Sequence, residues 1–155
     1  MPIQLTAIRN LFSNVKKLDS DKLLKKVLSN TSLEQDIIDL NREDQLYERG
    51  VTVDGLSLGE YSPATIHGTS NFKGKIEKGQ RYDHITLNDT GATYESEKFV
   101  NNNDGFLLTI NTNLHGIDLE EKFGKIVGLD EKNKSVVREW IKDPLLSLVR
   151  SEIKK

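Results

Sequence analysis

Apolar positions recur with a helical period through the first third of the chain. Ile3, Ala7, Ile8, Leu11, Phe12 and Val15 fall on one side, with Arg9, Lys16 and Lys17 largely opposite. Asp19 or Ser20 then supplies an N-cap, since a short oxygen-bearing side chain accepts from the unpaired N–H groups of a first turn. The helix so started carries Leu23, Leu24, Val27 and Leu28 and ends at Asn30 and Thr31. Ser32 and Gln35 stand at capping-box spacing before Leu33, Ile37, Ile38 and Leu40, which predicts a third helix. Gly50, after a charged run, suits the left-handed residue that closes a helix.

Between residues 50 and 79 the period disappears and glycine becomes frequent. This predicts a long Gly-rich loop, with short strands at 50–53 and 64–67. At 84–87, His84 and Thr86 alternate with Ile85 and Leu87 like a brief strand. Residues 97–100 and 106–111 flank Asn-Asn-Asn-Asp-Gly, and Asp104-Gly105 favours a tight turn because glycine tolerates positive φ. An antiparallel hairpin follows, with Phe99, Phe106, Leu108 and Ile110 on its buried face. Asp130 caps a last helix whose apolar stripe is Val136, Val137, Trp140 and Ile141. Asp143-Pro144 interrupts that helix, because proline has no N–H and restrains the residue before it. Either Asp143 caps a fresh helix carrying Leu145, Leu148 and Val149, or the helix is kinked there.

The pattern is that of an α+β protein: N-terminal helices, a small antiparallel sheet with a hairpin around 97–111, a long loop, and a C-terminal helix broken or kinked at Pro144. One domain spans 1–155, with 1–30 as a helical arm or N-terminal helices and 31–155 as the body. A chain of 155 residues buries about two-thirds of its unfolded surface, enough for a core without disulfides. It has no cysteine, which excludes thiolate zinc sites and cysteine nucleophiles. A net charge of −2 gives no global attraction to nucleic acid or anionic lipid. No apolar run approaches the roughly 20 residues of a membrane span, and the N-terminus lacks a signal-peptide core.

Residues 87–99, Leu-Asn-Asp-Thr-Gly-Ala-Thr-Tyr-Glu-Ser-Glu-Lys-Phe, concentrate the candidate chemistry. A hydrolase would use His84 as base, Ser96 or Thr90 as nucleophile and Asp89 to orient the base. No Gly-x-Ser-x-Gly elbow surrounds Ser96, and its neighbours Glu95 and Glu97 disfavour an attacking alkoxide. A phosphate-binding turn needs more glycines and a lysine, and the acidic residues here repel phosphate. A structural reading accounts for every residue: Asp89 or Thr90 caps a helical turn through Ala92, Tyr94 and Glu95, and Gly91 lets another backbone approach.

The segment Leu87-x-Asp89-Thr90-Gly91-x-x-Tyr94-x-Ser96 resembles a signature of tailed-phage virion morphogenesis proteins, the tail-completion or neck components that join heads to tails. Asp54-Gly55-x-x-Leu58-x-x-Tyr61-Ser62-Pro63-x-Thr65 is similar to a second segment of that family, and a lysine-rich loop follows it. Glu121-Lys122-Phe123-Gly124 and Ile126-Val127-Gly128-Leu129-Asp130 resemble two more, so the likeness spans roughly residues 35 to 155. Thr93 stands where that family has an apolar residue and Glu121 where it has histidine. The resemblance implies an α+β virion protein working by ring assembly: a homo-oligomer, hexamer or dodecamer, seated between the head connector and the tail. It implies no active site, no cofactor and no metal. It also implies a place in the virion neck or tail, and in the host cytoplasm during assembly.

Lys73, Lys75, Lys78 and Arg81 form a basic cluster that suits DNA in a neck channel or an acidic neighbouring protein; the plainer reading is a solvated loop. Phe72 and Tyr82 flank it without making a base-stacking platform. His67, His84 and His115 show no ligand spacing. Asp130-x-Lys132-x-Lys134 has lysines where a calcium loop needs oxygen ligands. Trp140 is expected in the core, and helix 1 on the core or docked on a neighbour, with no membrane partner. The competing functions are a small hydrolase using His84, Asp89 and Ser96, and a nucleic-acid-binding module using residues 73–81.

Overall fold

The computed structural model describes residues 13–102, 105–114 and 116–154. The first predicted helix falls mostly outside this range, as do Asp104 of the hairpin tip and His115; residues 13–16 are helical. Helix α1 spans Ser20–Leu28, and the Asp19 side chain accepts from the Lys22 N–H at 3.0 Å. Helix α2 spans Thr31–Asp39 and is capped by Asn30, whose side chain accepts from the Ser32 and Leu33 N–H groups. Ser32 therefore lies inside the first turn instead of capping it. Asn30 serves because its backbone is extended in the two-residue link between the two helices.

The chain then continues without a break into a nine-residue π-helix, Leu40–Glu48, a form usually confined to single turns. Its widened spiral brings Asn41 and Gln45 to one buried side. Gly50 closes it at φ +56°, and a Cβ there would stand 2.2 Å from His84 Cδ2, so the histidine ring occupies the space that glycine leaves.

Residues 50–89 are an ordered excursion in place of the expected loop. The 50–53 segment forms only a single bridge, Val51 to Ser57. Residues 64–67 are helical and not a strand: α3 spans Pro63–His67, with Ser62 capping the Thr65 N–H and Pro63 in the first turn. Strands β1, Gly68–Thr69, and β2, Phe72–Lys73, make a minimal hairpin. Gly74 packs so closely on β1 that a Cβ would lie 2.2 Å from the Gly68 nitrogen. Residues 84–87 form no strand, because Leu87 takes φ +56° and ends the alternation.

The single turn α4, Ala92–Glu95, leads into β3, Lys98–Asn102, which pairs antiparallel with β4, Gly105–Thr109, from Asn102↔Gly105 to Lys98↔Thr109. The hairpin is as expected. Its inner face carries Phe99, Phe106 and Leu108, with the two phenyl rings stacked at 5.0 Å. A second small ladder, β5 (Asn113–Leu114) with β6 (Ile117–Asp118), precedes helix α5, Leu119–Phe123, capped by Asp118.

Helix α6 spans Glu131–Ile153, capped by Asp130 as predicted. It runs unbroken through Pro144, so no fresh helix starts at Asp143. The carbonyl that loses its partner belongs to Trp140, on a stretch facing solvent, where water can replace the missing bond. Trp140 itself is 39% exposed, a correction to its expected place in the core. The core forms two clusters. Leu28, Ile37, Leu108, Leu129 and Val137 join α1, α2, α6 and the hairpin; Leu46, Leu58, Tyr94, Leu119 and Ile126 pack beneath the Gly-rich excursion. Val127 packs against both and makes them continuous.

Candidate functional site

Thr86 is where the two motif segments, 54–65 and 87–96, meet. Its N–H donates to the Tyr61 hydroxyl at 3.0 Å, and its own hydroxyl lies 3.1 Å from the same oxygen. Tyr94, one helical turn past Gly91, donates its hydroxyl to the Thr86 carbonyl. Burial pushes the Tyr94 phenol well above its ordinary value, so it stays protonated and keeps that bond. These contacts hold the excursion against the second core cluster, on which Leu87, at positive φ, also packs.

The remaining signature residues are spent locally. Gly91 adopts φ +85° as the residue before α4, and a Cβ there would meet nothing closer than Glu95 Oε1 at 3.5 Å. It is glycine for its backbone angle and not for close approach. Thr90 Oγ1 accepts from the Ala92 N–H at 3.3 Å. Asp89 does not cap; it accepts from Lys78 Nζ at 2.8 Å, with Lys75 Nζ at 3.6 Å. The bond from Lys78, helped by the Lys75 charge, holds its carboxyl below the usual range. Ser96 Oγ donates to the Thr93 carbonyl at 2.6 Å and accepts from the Asn111 N–H at 2.9 Å, tying α4 to the end of the hairpin. His84 Nε2 lies 2.9 Å from the Tyr47 carbonyl oxygen and Nδ1 lies 3.2 Å from Asp83. His84, Asp89 and Ser96 thus each have other partners, and no hydrogen bond among the described residues joins them as a triad.

The basic cluster is solvated only in part: Lys73 and Lys78 are exposed, Arg81 is half-buried and Lys75 is buried. Lys75 is 4% exposed; its ammonium donates to the Asn88 carbonyl at 2.7 Å and lies over the Tyr61 ring at 4.9 Å. Lys78 pairs with Asp89, and Arg81 with Glu48 and Asp83. Only Lys73 of the four stays exposed without an ion pair among the described residues. Beside it opens a cleft of about 550 Å³, whose apolar wall is Tyr61, Phe72, Leu87, Leu119 and Phe123 and whose rim carries Lys73 and Lys122. Residues 74–80 are held by backbone bonds from Lys75 to Thr65 and from Ile76 to Ile66, so the segment is tied down within the chain itself.

Sequence reasoning missed a buried polar staple on the π-helix. Asn41 donates to the Ile126 carbonyl at 3.2 Å and accepts from the Gly128 N–H at 3.1 Å. Gln45 donates to the Gly128 carbonyl at 3.0 Å and accepts from the Asp130 N–H at 2.7 Å. Glu120 Oε1 accepts from the Ile126 and Val127 N–H groups. The Ile126–Asp130 backbone, buried without strand partners, is paired through these three side chains. The signal was the Asn41-to-Gln45 interval, one turn apart within a run that reads as solvent-facing. Arg49 adds ion pairs to Asp44 and Asp130. Burial opposes ionisation of Asp130, but the hydrogen bonds from Arg49 and the Asn133 N–H, with the Arg49 and Lys132 charges, together outweigh it and hold its carboxyl below the usual range.

Among the described residues no three His, Asp or Glu side chains are placed to hold a metal ion, and no helix is long and apolar enough to cross a membrane. These residues define a mixed helix-and-strand protein whose signature segments build a hydrogen-bonded scaffold. No family model, curated protein or solved structure matches the chain.

Proposed function

We propose that this chain is a structural subunit of a tailed-phage virion, a neck or tail-completion component that assembles into a ring between head connector and tail. The resemblance in segments 54–65, 87–96 and 121–130 motivates this reading. The observation that carries it is the outer face of the β3–β4 hairpin. Val100 and Leu107, directly paired across the ladder, are 45% and 55% exposed. Among the described residues the ladder has two strands, so each has one edge without a strand partner, of the kind that can pair with another chain. An apolar pair on an open-edged hairpin suits an interface repeated around a ring. The Gly-rich excursion, ordered on its own subunit, acts as a rigid contact and not as a segment that folds on a neighbour. The test is complementation in vitro. Purified chain added to a lysate lacking it should restore infectious particles, and a folded Leu107→Lys variant should not. Full restoration by Leu107→Lys would remove the hairpin face from the interface.

A further inference from the structure

We infer that the outer face of α1 and the turn before it bind the phosphate backbone of duplex nucleic acid without regard to sequence. Lys16, Lys17, Lys22, Lys25 and Lys26 are all exposed, and none forms an ion pair among the described residues. The sequence points to residues 73–81 for positive charge, but there Lys75, Lys78 and Arg81 are matched by carboxylates. A denser run of lysines without ion pairs lies on and before α1, five between residues 16 and 26 against the two carboxylates Asp19 and Asp21. Lys22, Lys25 and Lys26 stand at i, i+3 and i+4, on one helix face spanning about 6 Å of axis. Lys17, Lys22, Lys25 and Lys26 line one groove together with Asp19 and Glu152. The last turn of α6, which carries Arg150, is fixed to the same corner where Asn14 donates to the Ile153 carbonyl at 3.1 Å.

Charge and chemistry together select the partner. Duplex DNA presents one negative charge per about 1.7 Å of axis, so one helix face of lysines meets several phosphates. Segment 16–26 has neither arginine nor an aromatic residue, which removes bidentate base reading and base stacking and leaves backbone contacts. Leu23, Val27 and Leu28 of α1 are buried, and Leu18 and Leu24 are half-buried, so the exposed positions of this segment are polar or charged. The face therefore offers no anchor for a protein hot spot and no apolar wedge for a lipid surface. This inference does not depend on the ring reading.

The test is fluorescence anisotropy of the full chain with a labelled mixed-sequence duplex, at salt from about 50 to 200 mM. Each phosphate contact contributes about −0.9 to the slope of log affinity against log salt. Five lysines predict a fall of a few hundredfold over that range, and the variant Lys22→Gln, Lys25→Gln, Lys26→Gln a fall of about tenfold. The three side chains are exposed, so an unchanged melting curve shows that the variant is folded. Lys78→Gln, in the paired loop, should leave the slope unaltered. Absence of duplex binding at the lowest salt would overturn the inference, as would an identical slope in the triple variant. Binding to phosphatidylserine vesicles in place of the duplex would overturn it too.

Discussion

Glu97 stands between α4 and β3 with 7% of its surface exposed, and neither carboxyl oxygen has a hydrogen-bond partner among the described residues. Burial pushes its carboxyl up to about 8; the Arg42 charge opposes that shift and the Asp39 charge adds to it. In the unfolded chain the same group titrates near its ordinary value of about 4.3. Between those two values the folded protein holds a proton that the unfolded chain has released. Stability must therefore fall as pH rises from about 4.5 to about 8 and stay at the lower level beyond. Each pH unit in that window is worth about 1.4 kcal/mol, so this one carboxyl removes about 3 kcal/mol between pH 5 and 7. Glu97→Gln keeps the shape and removes the titration. The assay is urea unfolding followed by circular dichroism at about pH 5, 6, 7 and 8, wild type against variant. The free-energy difference between them should shift toward the variant by about 3 kcal/mol from pH 5 to 7 and level off above 8. Comparing the two proteins cancels the histidines and the surface carboxylates. Parallel stability curves across the whole range would refute the reasoning and mean that water or a rearranged partner reaches the carboxyl.

Other perturbations test the scaffold. Gly74→Ala drives a methyl into the Gly68 nitrogen at 2.2 Å, where backbone cannot yield as a side-chain tip can; a loss of about 3 kcal/mol is expected in urea unfolding. Asn41→Leu leaves the Ile126 carbonyl and the Gly128 N–H unpaired in the interior. It should cost about 2–4 kcal/mol and speed amide exchange at Gly128. Tyr94→Phe removes the donor to the Thr86 carbonyl while keeping the ring in the core. A loss of about 1–2 kcal/mol by thermal melting is expected, and no loss would mean that Thr86 pairs elsewhere.

Local signals carried much of this fold. Asp19 and Asp130 were readable as caps because a cap is a one-residue decision made by its own turn. The hairpin was readable because alternation and the Asp-Gly turn agree. Asn41 and Gln45 look like surface residues in sequence; only the widening of the helix and the arrival of residues 126–130 from far along the chain bury them. Lys75 was read as solvated because its partners, Asn88 and Tyr61, lie on either side of it at distances that no short-range pattern reports. At Pro144 the helix continues, because the one carbonyl that loses its partner lies on an exposed stretch; of the two outcomes open there, the fresh helix at Asp143 does not form. At the candidate site the helical turn through Ala92, Tyr94 and Glu95 is legible in sequence, but its N-cap is Gly91, with no side-chain cap, and Thr90 bonds the Ala92 N–H from the residue before. The commitment of Asp89 to Lys78 depends on a loop closure that the sequence does not display.

Electron microscopy of a lysate from a phage in which this reading frame is disrupted tests the assembly reading most directly. Filled heads lying beside separate tails are the predicted result, restored to whole particles when the intact chain is supplied. Normal, infectious particles from the disrupted phage would contradict a role at the head–tail joint.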